Sequence, residues 1–132
     1  MAASTRAREL AVAAARAASD KLASDILALD VSEHLALTDV FVVCSARNER
    51  MVQAIADEVD RVLSQEGSPP LREEGRSAGR WALLDCGDII VHIFHEEERL
   101  FYQLERLWRD SPEIPLPVPA GPESSVESTD TL

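Results

Sequence analysis

The chain has 132 residues, about one domain on the usual length prior, and its 45% hydrophobic content is enough for a packed core. A wholly disordered chain is excluded, and so is a membrane-spanning helix, because no apolar run approaches the roughly 20 residues needed to cross a bilayer. With 13 Lys+Arg against 24 Asp+Glu the net charge is -11, and the bases are scattered, so direct nucleic-acid readout is excluded and a basic protein partner is favoured.

The N-terminal stretch lacks a signal-peptide core, being rich in Ala and interrupted by Arg8, Glu9 and Arg16, so a cytoplasmic protein with no membrane partner is expected. A first helix is predicted over about 5–18, capped by Ser4 or Thr5, with Leu10, Ala14, Ala18 and Leu22 on one stripe. SDILALDV then reads as a strand that is apolar on both faces, and after a polar loop DVFVVCSA reads as another.

The second helix follows Asn48, which can cap it, and carries Met51, Val52, Ile55, Ala56, Val59, Val62 and Leu63 on a wide apolar face. Gly67 and the Pro69-Pro70 pair stop it. A short extended piece, PLREEG, precedes RWALLD and DIIVHIF, two strands joined by a tight turn at Cys86-Gly87. A last helix spans about 96–108, with three Glu in its first turn and Arg106 and Arg109 at its end, as the helix dipole prefers.

The order is α-β-β-α-β-β-β-α. A hairpin among the strands makes the sheet mixed, so the fold expected is an α/β mixed sheet of about five strands flanked by helices. Residues 1–109 form the folded domain in this reading. Residues 110–132 hold five of the seven prolines, five acids and no base, and read as a disordered, solvated tail.

Several residue sets invite chemistry. Asp85 and Asp88 flank the hairpin turn, and Asp30 and Asp39 lie near other strand ends, where carboxylates can hold Mg²⁺ for nucleotidyl or phosphoryl transfer. Asp-x-Gly-Asp is also ordinary turn chemistry, and no Gly-rich phosphate loop accompanies it. His92, His95 and Cys86 lack a further ligand at metal spacing. Cys44 and Cys86 sit in apolar strands and read as small reduced hydrophobes. No cofactor is called for, and the chain does not read as an enzyme.

The last helix is richer. Phe101, Tyr102 and Trp108 fall within eight positions of a chain with six aromatic residues. Interface energy concentrates in Trp, Tyr and Arg, so this helix, with Trp81 and His92 from the hairpin, reads as a protein-docking face. The alternatives are a core stripe with a half-exposed Tyr102, or His92 as a satisfied, partly buried histidine.

The pieces ILALDV, TDVFVVCSARN with QAIADEV, PLREEG, and RWALLDCGDIIVHIF followed by RLFYQLERLW resemble the bacterial ribosomal silencing factor, or Iojap-like, family. They stand in family order over about 5–109. Ala46 departs from a frequent family Gly, and Cys86 from a frequent aromatic or aliphatic residue.

The resemblance implies a nucleotidyltransferase-like fold without the catalytic acids. It implies binding to the large ribosomal subunit through its ribosomal protein fourteen, steric blocking of the small subunit under nutrient limitation, and association as a homodimer. It carries docking onto Trp81, His92, Tyr102 and Trp108, with Asp85, Arg99 and Glu105 as polar contacts. Two other readings stay open: a metal-dependent nucleotidyl or phosphoryl transferase, and a dimeric scaffold with no ribosomal role.

Overall fold

The computed structural model describes residues 2–102 and 110–118. The elements are α1 (Thr5–Asp20), β1 (Ser24–Asp30), β2 (Val40–Ala46), α2 (Glu49–Gln65), β3 (Arg72–Glu74), β4 (Trp81–Asp85), β5 (Ile89–His95), α3 (Glu96–Tyr102) and β6 (Glu113–Ile114). One sheet runs in the order β3-β4-β5-β2-β1-β6. Among the described residues only β2 and β5 pair in parallel, so the sheet is mixed, as the hairpin required.

Alternation along the strands separates two faces. On one, Ile26, Ala28, Val40, Val42, Val91 and Ile93 meet α1 and α2. The alanines of α1 let its backbone lie close to the sheet, and α2 brings Val52, Ile55, Val59 and Leu63. Asn48 caps α2 by accepting the Met51 N–H at 2.9 Å. On the other face Leu29, Val31, Phe41, Val43 and Phe94 form a second cluster. Arg99 of α3 reaches the Ser45 hydroxyl, which lies on this second side, at 2.9 Å.

The expected mixed sheet of about five strands has six, and three other expectations are corrected. The sixth strand comes from the segment read as a solvated tail. Ile114 is buried opposite Ala28, and the Asp30 N–H donates to the Pro112 carbonyl at 2.8 Å. Leu116 and Val118 pack on the same core. Prolines do not bar an edge strand, where one side of the backbone needs no partner.

Leu22 does not continue the α1 stripe. It is 77% exposed, with φ +68°, and closes the helix while the Ala23 N–H returns to the Ala18 carbonyl. The two residues inside the β4–β5 turn are Gly87 and Asp88, because the Cys86 N–H bonds to the Ile89 carbonyl. Among the described residues no helix is long and apolar enough to cross a membrane.

Candidate partner-docking face

Trp81 is placed by the loop that precedes it. A Cβ on Gly75 (φ +79°) would collide with the Trp81 carbonyl, and one on Gly79 (φ +72°) would lie within 2.6–2.8 Å of Glu49. Only glycine fits such close approaches. Arg76 ties this loop to α2 through Asp57 at 2.8 Å and Asp60 at 2.9 Å, and also pairs with Glu73. Arg80 then bonds Glu98 at 2.7 Å and Glu97 at 3.1 Å, joining the start of β4 to the first turn of α3.

The β4–β5 register sets Trp81 opposite Phe94 and Leu83 opposite His92. Trp81 and His92 are therefore diagonal neighbours on the second face of the sheet. The indole stacks on Phe94 with centroids 4.8 Å apart, and its Nε1–H donates to His92 Nδ1 at 3.2 Å. Phe41 meets the imidazole edge-on at 4.8 Å.

Trp81 is half-buried, whereas His92 is 5% exposed. Burial pushes the imidazole pKa down to about 4, so the ring is neutral near pH 7. With Nδ1 accepting, the ring proton sits on Nε2, which is buried and has no hydrogen-bond partner.

The other expected docking residues are distributed differently. Asp85 accepts the Gly87 N–H at 3.1 Å and lies 3.7 Å from Arg72, so its carboxylate serves the turn and the neighbouring strand. Half-buried Arg99 holds Ser45. Tyr102 is the last described residue of α3, with its side chain outside the described part, and Glu105 and Trp108 lie outside the described residues. Sequence reasoning missed Phe41 and Phe94 as the bed of this cluster; the alternation of Phe94 with His92 on β5 was the available signal.

The carboxylates weighed for a metal do not converge. Asp85 and Asp30 stand on strands three spacings apart in the sheet, roughly 15 Å. Asp30 accepts from the Ala3 N–H at 2.9 Å and from Ser32, and Asp39 accepts the Ser4 N–H at 2.9 Å, so both anchor the approach to α1. His92 and His95 point to opposite faces of β5, and His95 Nδ1 instead accepts the Glu97 N–H at 3.1 Å and caps α3. Among the described residues no three His, Cys, Asp or Glu form a metal-holding group. Burial pushes both the Cys44 and Cys86 thiols up to about 12, leaving them protonated and unreactive.

Residues 4–131 match the family described as "Ribosomal silencing factor during starvation". The chain belongs to the ribosomal silencing factor family. It is 40% identical over 109 residues to "Ribosomal silencing factor RsfS" of Halalkalibacterium halodurans, covering 83% of this chain and 93% of that protein. A crystal structure of a Chromobacterium violaceum protein superposes with a TM-score of 0.74 at 31% identity, covering 85% of this chain and 92% of the other. A mouse relative named "Mitochondrial assembly of ribosomal large subunit protein 1" is 30% identical over 89 residues, 65% of this chain and 39% of its own length.

Proposed function

We propose that this chain represses translation in the cytoplasm by binding ribosomal protein fourteen of the large subunit and sterically blocking the small subunit when nutrients run short. The observation that carries the reading is the partly buried Trp81 indole, stacked and hydrogen-bonded on one sheet face of a chain with net charge -11. Membership of a silencing-factor family and a mouse relative named for the large subunit support the choice of target.

Such a dock needs occupancy and no chemistry. An acidic surface is repelled by ribosomal RNA and attracted to a basic ribosomal protein, which orients the encounter. Trp81, Tyr102 and Trp108 are the proposed aromatic anchors, each worth on the order of 2 kcal/mol if truncated, with Asp85, Arg99 and Glu105 as polar contacts. Residues 1–109 supply this docking unit, and in isolation the chain pairs with a second copy.

Sucrose-gradient sedimentation tests the reading. The chain travels with free large subunits, and its saturating excess lowers the yield of joined ribosomes from purified halves. Full yield under those conditions overturns the proposal. Tyr102→Ala keeps the fold and abolishes binding to isolated ribosomal protein fourteen; calorimetry that finds unchanged affinity removes Tyr102 from the anchor set.

A further inference from the structure

We propose that His92 is a positioning residue for docking: by accepting the Trp81 indole N–H from beneath, it fixes the orientation in which Trp81 meets its partner. The inference rests on the docking reading above and gives His92 a different part in it. At 5% exposure the imidazole offers almost no surface to a partner, whereas the residue that it holds, Trp81, is only partly buried.

A ring-stacking contact such as that on Phe94 does not by itself select which edge of the indole faces inward. The 3.2 Å bond from Nε1 to Nδ1 is directional and makes that selection. The acceptor is itself immobile, with Phe41 edge-on at 4.8 Å and Phe94 stacked at 6.3 Å. Burial keeps the ring neutral, so Nδ1 retains the lone pair that the indole needs.

The environment makes a histidine a poor choice for packing alone. Its cross-strand neighbours are Leu83 and Val43, and its Nε2 is left buried without a partner. An apolar side chain would fill that space without an orphaned donor. What only the histidine supplies is the acceptor. A side chain ordered before binding need not lose its rotamer freedom on association, which strengthens the complex without adding a contact.

The test compares His92→Leu, which deletes the acceptor, with His92→Asn, whose Oδ1 takes the place of Nδ1. NMR of the full chain follows the indole N–H signal that Trp81→Phe removes, and sedimentation measures affinity for purified large subunits. His92→Leu is expected to shift that signal, speed its hydrogen exchange and weaken binding about tenfold, with Tm within a few degrees of the original. His92→Asn restores most of the affinity.

An unmoved indole signal in His92→Leu overturns the clamp, and a moved signal with undiminished affinity overturns its role in docking. If the unaltered chain itself fails to bind large subunits, the docking reading falls and the positioning role falls with it. The indole signal still decides whether the bond exists.

Discussion

On the sheet face carried by α1 and α2 every buried core side chain is alanine, aliphatic or cysteine, and the helices close over it. On the opposite face two phenylalanines and a tryptophan surround a buried imidazole, one of whose nitrogens has no partner. The first arrangement maximises apolar burial, and its buried polar groups at the strand ends, Asp30 and His95, are hydrogen-bonded. The second accepts an orphaned donor in return for a fixed side chain near the surface. On the docking reading proposed above, stability and recognition fall to different sides of one sheet.

The largest expected effect lies on the helical side. Ile55→Ala removes a fully buried side chain between α2 and the sheet and costs about 2–5 kcal/mol in thermal or urea unfolding. Affinity of the remaining folded protein for large subunits should not change; a parallel loss of affinity would break the division between faces.

Next comes the acid limb of the stability curve. The unfolded chain protonates His92 near the ordinary 6.5, while the folded chain resists until about 4. The depressed value means that this contribution is complete above pH 6.5 and is lost as pH falls towards 4, up to about 3 kcal/mol. Denaturant titrations across that window should show the loss, and His92→Leu should flatten it.

Asp30→Asn is expected to cost about 2 kcal/mol, because the amide turns one acceptor oxygen into a donor facing the Ser32 or Ala3 donors. Burial pushes the Asp30 carboxyl up, but the bonds from Ser32 and Ala3, with Arg8, outweigh it and hold its pKa below 3.8. Its contribution is therefore present above pH 3.8 and disappears as pH falls through the lower folded value. The smallest effect is a gain: Leu22→Gly relieves the left-handed backbone at the end of α1 and should add about 1 kcal/mol. Calorimetry that finds no rise in Tm would show that Leu22 is unstrained there.

Elements with strong periodicity and local punctuation were readable from residues alone. Asn48, the apolar face of α2 and the stop at Gly67 mark a helix found at Glu49–Gln65. The doubly apolar strand DVFVVCSA and the hairpin strand DIIVHIF became β2 and β5, the central pair. What escaped was whatever depends on a partner distant in sequence. The proline content of 110–118 hid the alternation of Ile114, Leu116 and Val118, which matters only once β1 presents an edge.

Likewise, strand alternation placed His92 on a face but said nothing of what lies over it. The nearness of Trp81 to His92 follows from the hairpin register, whereas the depth of the imidazole follows from Phe41, brought in by the parallel crossover. Leu22 matched the helical spacing of Leu10, Ala14 and Ala18, and no local residue warned that the chain turns at that point.

The prolines beside β6 bear on self-association. Pro112 and Pro115 bracket the two-residue strand and carry no N–H, so the outermost rim of the sheet on that side is short of donors for an incoming strand. The opposite rim is β3, three exposed charged residues, Arg72, Glu73 and Glu74. Neither rim is a template for open-ended growth into fibres. A second copy that adds by strand pairing is disfavoured at both of these rims.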